Sequence, residues 1–359
     1  MKYTCIDSFC GAGGLSLGLK KAGFDILLGF DNDEKCIKTQ NANRKYFNHP
    51  VLLADAEEML QGKILQIAGL KRGELFLFAG GPPCQGFSIQ RIGPDEDYRN
   101  ELILKYMVMV EILMPKYYLM ENVSGMRGKR GRAVLAKALK KAEEVGYWVH
   151  VSCLDAQDYG VPQRRKRVFV IGERVDQGPP SFQFPLPTTP PNQRITVRMA
   201  IGHLPPPPED WTDHPLFPLH RKDKLSEINI QRLKALKPGQ GREHLPEHLL
   251  ADCHKVDCAV IGHRNVYGRM SWDDVAPTIT ARFDSFTRGM FGHPEQDRSI
   301  SLREGAILQT FPPDFIFKGN KVEIAKQIGN AVPPLLAETI GKQIILCDKS
   351  KSKPSEGNK

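Results

Sequence analysis

The sequence contains no long hydrophobic run. No stretch of its 359 residues approaches the length needed to cross a bilayer. The opening "MKYTCIDSFCGAGG" is interrupted by Asp7 before an apolar leader could form. A membrane protein and a secreted protein are set aside, and the expectation is a cytosolic chain. The sequence also lacks a CxxC pair. Its eight cysteines, at 5, 10, 36, 84, 153, 253, 258 and 347, stand apart, which argues against a disulfide framework or a zinc site. The nearest approach to a metal cluster, "HLPEHLLADCHKVDC" (244–258), has no common ligand spacing and reads as a His-rich surface, so no metal is expected. No internal repeat is evident.

The composition, 41% hydrophobic and 25% charged, is that of a soluble globular protein long enough for two domains. The formal charge of +9 favours a polyanionic partner but does not by itself identify one. Basic residues gather in "MRGKRGRAVLAKALKK" (126–141) and "QRRKRVF" (163–169). The first is either the solvated face of a helix or a helix running beside phosphates.

Up to residue 178 strand and helix patterns alternate. "YTCIDSFC", "FDILLGFD", "ELFLFAGG", "KYYLMENV", "WVHVSCLD" and "KRVFVIGE" read as strands, with amphipathic segments between most of them. This alternation predicts an α/β fold with a mainly parallel sheet covered on both faces. Twelve of the 27 prolines then fall between Pro179 and Pro218, which marks a domain boundary because proline supplies no sheet donor. Periodicity stays poor to residue 320, with short strands such as "APTITA" expected. Helix returns over "VEIAKQIGNAVPPLLAETIGKQIILC". The division expected is 1–178 with 321–349, then 179–320, with 350–359 a disordered polar tail.

Two places on this scaffold carry chemistry. "DSFCGAGGLSLG" is a glycine turn between a strand and a helix, where Gly11, Gly13 and Gly14 allow a ligand close to the backbone. Asp31 ends the second strand 20 residues after Gly11, placed to accept hydrogen bonds from a ribose, and Asp55 ends a third strand on the same edge. A nucleoside-containing cofactor is implied. Its kind stays open, a dinucleotide included, because the strict G-x-G-x-x-G is absent. The second place is "GGPPCQGFS". Pro82 and Pro83 stiffen the turn that carries Cys84 at the end of a buried strand. Glu121 and Asn122 end another strand, and Arg165 and Arg167 sit at alternate positions of a third. A thiol, a carboxyl and a guanidinium could therefore meet at one sheet edge.

With these residues in view the chain resembles the cytosine-C5 DNA methyltransferases of prokaryotic modification systems. "DSFCGAGGLSLGL", "GFDND", "LLAD", "GGPPCQGFS", "DYRNEL", "ENV", "YGVPQRRKRVFVIG", "LREGAILQTFP" and "KQIGNAVPPLLA" occur in the family's order along nearly the whole chain. The resemblance implies a Rossmann-like S-adenosylmethionine-dependent domain, formed by 1–178 and 321–349, and a smaller, irregular target-recognition domain over 179–320. It implies that Phe9, Cys10, Gly14 and Leu15 line the cofactor. Asp31 would take its ribose, Asn32 would pack on its adenine, and Asp55, with Ala56 beside it, would take the adenine amino group. Pro83, Leu102, Asn330 and Val332 would complete the pocket. Cys10 departs from the alanine or serine common at its position.

The chemistry implied is covalent. A Cys84 thiolate adds to C6 of cytosine and makes C5 nucleophilic towards the sulfonium methyl. Glu121 would donate to N3 and Arg167 would bind O2. Arg165 would favour the thiolate or hold Glu121. The target base must leave the duplex, and "QGFSIQRIGPDEDYRN", with hinges at Gly86 and Gly93, reads as a loop that closes over it. The partner implied is double-stranded DNA, bound by a monomer in the nucleoid, with any cognate restriction endonuclease acting separately. Three rival readings lack their marks in the sequence. A transfer-RNA methyltransferase on the same scaffold would carry a Cys-Phe-Thr segment that is absent here. A non-catalytic DNA-binding module would not need Cys84, Glu121 and Arg167. An amino-group methyltransferase would want an aromatic residue where "PPCQ" stands.

Overall fold

In a computed structural model of the chain, residues 2–60, 63–83, 99–129, 131–252 and 266–351 are described. Cys84 and the segment to Tyr98, with Gly86 and Gly93, lie outside them. In chain order the elements are β1 (Thr4–Ser8), α1 (Gly14–Ala22), β2 (Asp25–Asp31), α2 (Glu34–Ala42), β3 (Val51–Leu53), α3 (Ala56–Leu60), α4 (Lys63–Ala68), β4 (Leu77–Gly80), α5 (Arg99–Leu113), β5 (Tyr117–Val123), α6 (Arg132–Val145), β6 (Tyr147–Asp155), β7 (Lys166–Arg174), α7 (Val197–Ile201), α8 (Glu227–Ala235), α9 (Leu302–Leu308), α10 (Lys321–Asn330) and α11 (Pro334–Lys351). They form two compact units. The first comprises 1–155, 166–187 and 332–359, and the second 156–165 and 188–331.

The first unit is built on a seven-stranded sheet in the order β3-β2-β1-β4-β5-β7-β6. The pairs from β3 to β5 are parallel, while β7 runs antiparallel to both β5 and β6. Parallel strands need cover on both faces, which explains the unbroken apolar "LFLFAG" and "YYLM". On one face Ile6, Phe30, Phe78, Tyr118 and Met120 share a core with Met59 of α3, Ile64 of α4, Tyr106 and Val110 of α5, and Ala138 of α6. Helix α11 packs along α1, so the end of the chain completes the unit begun at its start. Ser350 and Lys351 belong to α11, and the Lys351 ammonium lies 2.5 Å from the buried Glu173. Among the described residues no helix is long and apolar enough to cross a membrane.

The second unit has little regular structure, and its described residues form isolated bridges rather than named strands. The "APTITA" strand expected from sequence is one of these, a single bridge between Gln163 and Ala276. Pro277 has no donor to offer a ladder, and side chains take over its role. Ile279 N–H donates to the Gln163 carboxamide oxygen at 3.1 Å, and the Thr278 hydroxyl donates to the Arg164 carbonyl at 2.5 Å. Arginines hold much of the rest. Buried Arg269 donates to the carbonyls of Leu233, Leu236, His293 and Gln296 at 2.8–3.0 Å. Arg232 donates to Leu249, and Arg303 to Pro218 and Phe315. A guanidinium has five donors in a fixed plane, which suits it to carbonyls that no sheet satisfies. Arg298 and Glu304 form a fully buried pair with two bonds of 2.7 Å. Burial alone would raise the Glu304 pKa, but Arg298 brings it down to about 2.

Candidate active site

The carboxyl ends of β1, β2, β4 and β5 lie along one edge of the sheet. Ser8 stands beside Phe30 and Gly80, and Gly80 beside Met120. In sheets of this kind ligands bind at that edge. The chain leaves β1 through Phe9 (φ 53°), Gly11 (φ 51°) and Gly13 (φ 88°), three left-handed residues in five. The turn is tied down on several sides. Cys10 N–H donates to the Phe30 carbonyl at 3.1 Å, and Gly11 N–H donates to Asp31 Oδ2 at 2.8 Å. Asp31 Oδ1 accepts from Asp33 N–H at 2.9 Å. Both oxygens of Asp31 thus tie main-chain donors on either side of the turn.

Sequence reasoning missed two polar residues beneath the turn. Gln40 is fully buried in α2, and its Nε2 donates to the Gly11 carbonyl at 2.8 Å and to Cys10 Sγ at 3.0 Å. Its signal was available: Cys36, Ile37 and Gln40 share a buried helical face, and the one amide among them needs a partner. Asp7, buried in β1, accepts a 2.6 Å bond from the Ser16 hydroxyl of α1, and burial raises its pKa to about 7. A carboxyl inside an apolar strand was the corresponding clue. Cys10 is buried against Ile37 and Val51, and burial pushes its thiol pKa well up.

The other expected cofactor residues are placed as follows. Gly14 and Leu15 open α1 and are buried. Asn32 is exposed just past β2. Asp55 is exposed and caps α3, accepting from Glu58 N–H at 2.9 Å, while Ala56 is buried in that helix. Pro83 and Leu102 are half-buried in the first unit. Asn330 is exposed at the end of α10 in the second unit, and Val332 is buried where the chain re-enters the first.

At the centre of the edge, Glu121 is 8% exposed at the end of β5. Arg167 is its diagonal neighbour on antiparallel β7, two residues from Phe169, which pairs directly with Glu121. Arg167 Nε lies 3.0 Å from Glu121 Oε1. Burial lowers the Arg167 pKa while the Glu121 charge opposes that shift. Glu121 also reaches the turn after β4: a methyl group added at Gly81 would lie 3.3 Å from Glu121 Oε2. Asn122 Nδ2 donates to the Pro82 carbonyl at 3.0 Å. The carboxyl, the guanidinium and the Gly81–Pro83 turn thus meet one residue short of Cys84. Arg165 has partners in the main chain. It is fully buried and bonds the carbonyls of Ile279, Gly329 and Ala331 at 2.8–3.0 Å, all within the second unit.

Comparison with known proteins gives this edge a family. The profile of the C-5 cytosine-specific DNA methylases matches residues 3–346. The chain belongs to that family. Among the relatives of this DNA methylase, the Type II methylase M.HgiDII of Herpetosiphon aurantiacus is 35% identical, over 96% of this chain and 95% of the relative. The Type II methyltransferase M1.HphI of Haemophilus parahaemolyticus is 34% identical, over 96% and 87%. A solved E. coli prophage protein described as a DNA modification methyltransferase superposes with a TM-score of 0.72 at 25% identity, covering 96% of this chain and 99% of its own. The seven-stranded sheet is the Rossmann-like methyltransferase fold of these proteins.

Proposed function

We propose that this methylase is the modification enzyme of a Type II restriction-modification system. It transfers a methyl group to C5 of one cytosine in a short duplex sequence, through a covalent bond from Cys84 to C6. The observation that carries the reading is the Glu121–Arg167 pair set against the Gly81–Pro83 turn that leads into Cys84. The first unit suits S-adenosylmethionine. Among the described residues a side chain at Gly11 would meet nothing within 4 Å, so the turn has an open side, with Asp31 bonded to Gly11 at that turn. That cofactor supplies an electrophilic methyl group when bound.

The chain's own residues do the rest. The stiff Pro82–Pro83 turn, pinned by Asn122, aims the Cys84 sulfur at C6 of a base rotated out of the duplex. As the sulfur–carbon bond forms, charge moves onto N3 and O2. Glu121, entering the step in its protonated form, donates that proton to N3, and Arg167 donates hydrogen bonds to O2. Once C5 has taken the methyl group, water removes the C5 proton, the thiolate is expelled and the N3 proton returns to Glu121. Arg165 favours the Cys84 thiolate or holds Glu121, while its bonds to Ile279, Gly329 and Ala331 hold the segment that enters β7. The second unit reads the target sequence, the protein works as a monomer in the nucleoid, and a cognate endonuclease acts separately.

A duplex oligonucleotide carrying 5-fluorocytosine at the target site tests the reading, because fluorine cannot leave as a proton does. The site is first found by bisulfite sequencing of DNA from expressing cells. With methyl donor supplied, the expected result is an SDS-stable adduct that Cys84→Ser abolishes. Methylation of transfer RNA and not of duplex DNA, or no adduct at the mapped site, overturns the proposal.

A further inference from the structure

The basic run at 126–141 divides into two parts. Towards the end of α6, Lys140 lies 3.7 Å from Glu144 and Lys141 lies 2.7 Å from Glu111. These are ordinary surface pairs. Arg127 and Lys129, on the turn between β5 and α6, and Arg132, the first residue of α6, are exposed, and their side chains have no hydrogen bond or ion pair to a described residue. No acidic residue stands in the first turn of α6 to offset them.

The described residues beside them are anchored to the core. Met126 is fully buried in the core of the first unit, and Leu135 of α6 is buried in the same core. Between them Gly128 N–H donates to Gly125, Gly131 and Arg132 N–H both donate to Gly128, and Leu135 N–H donates to Gly131, at 2.9–3.1 Å. Gly131 is buried so tightly on the Met126 main chain that a Cβ there would overlap its carbonyl oxygen. Three cations are therefore presented from positions that these hydrogen bonds brace on either side of Arg130, which lies outside the described residues. They begin six residues after Glu121, at the sheet edge where Glu121 and Arg167 meet. Braced display lowers the ordering cost of an electrostatic contact.

We propose that Arg127, Lys129 and Arg132 form a docking strip for the phosphate backbone of the duplex, flanking the base that reacts. The inference rests on the DNA-modifying role proposed above and adds the surface that grips the polyanion. Each phosphate neutralised releases condensed counterions, so binding weakens with salt in proportion to the number of contacts, by about 0.9 in log–log slope per contact.

The test is fluorescence anisotropy of full-length protein on a duplex containing its site, from about 50 to about 200 mM salt. Three lost contacts flatten the slope by about 2.7, so over this range the wild type loses about 40-fold more affinity than Arg127→Gln/Lys129→Gln/Arg132→Gln. Each single variant should flatten the slope by about 0.9. The KM for S-adenosylmethionine and the 5-fluorocytosine adduct yield at saturating duplex should not change. Lys140→Gln, already paired with Glu144, should leave the slope unaltered. Equal slopes in wild type and triple variant, while the wild type still methylates duplex DNA, overturn the strip alone. A wild type unable to methylate duplex DNA overturns the parent reading, and the strip with it.

Discussion

Replacement of Gly13 by alanine probes whether the turn after β1 is built around glycine. Its φ of 88° lies where a side chain strains the backbone, at a cost of about 1–2 kcal/mol. The added methyl would also meet Phe47 Cζ at 2.5 Å and Gln40 Cδ at 3.0 Å. Both neighbours are buried, and Gln40 is committed to Gly11 and Cys10, so neither can withdraw freely. Overpacking of this kind costs about 1–3 kcal/mol more. Gly13→Ala should therefore lose about 2–5 kcal/mol, the sum of these two contributions. Gly11→Ala, with φ 51° and open space at its Cβ, should lose only the backbone part. Urea unfolding of both variants without cofactor measures the difference. Titration with S-adenosylmethionine should then show affinity down about 30-fold or more in Gly13→Ala, since about 1.4 kcal/mol is tenfold. Equal stability losses in the two variants would refute the packing argument. Wild-type affinity in Gly13→Ala would refute the assignment of the turn to the cofactor.

Arg167→Leu leaves Glu121 without its 3.0 Å partner and removes the donor assigned to O2. Turnover should fall about 100- to 1000-fold while the cofactor KM holds, and single-turnover kinetics would expose a smaller effect. Arg165→Met takes the arginine donor from the buried carbonyls of Ile279 and Gly329 at about 1–3 kcal/mol each and leaves Ala331 to Gln309, so urea unfolding should shift strongly; a shift under about 0.5 kcal/mol contradicts that role. His49 is buried, and burial lowers its pKa to about 4 from the ordinary 6.5. The unfolded chain then binds the extra proton between these values, so the stability contributed above pH 6.5 is lost as pH falls towards 4. In thermal melts His49→Phe should flatten this acid slope by one proton, and an unchanged slope excludes His49 as its source.

The two units differ in how well sequence foretells them. Strands of the first unit announce themselves because a parallel sheet demands continuous apolar runs, as in "LFLFAG", and helices between them follow from chain direction. Strand alternation likewise suffices to bring Arg167 towards Glu121. Gln40 and Asp7 escaped notice because their partners, a glycine carbonyl and a serine hydroxyl, come from neighbouring elements and leave no local pattern. The second unit escaped because arginine side chains, rather than periodic apolar residues, organise it. Arg269 joins segments more than twenty residues apart, and no spacing rule encodes that. The same cause separates Arg165 from Arg167. Both looked available at the sheet edge; Arg167 lies beside Glu121, and Arg165 also bonds main-chain oxygens of Ile279, Gly329 and Ala331, which strand alternation does not foretell.

Every residue carries the same peptide oxygen, whatever side chain it bears. Joints made by Arg232, Arg269 and Arg303 therefore survive replacement of the amino acids they clasp. In the proposed role of the second unit, evolution can rewrite exposed loops letter by letter without loosening the frame beneath, so a new target sequence is reachable through surface changes alone.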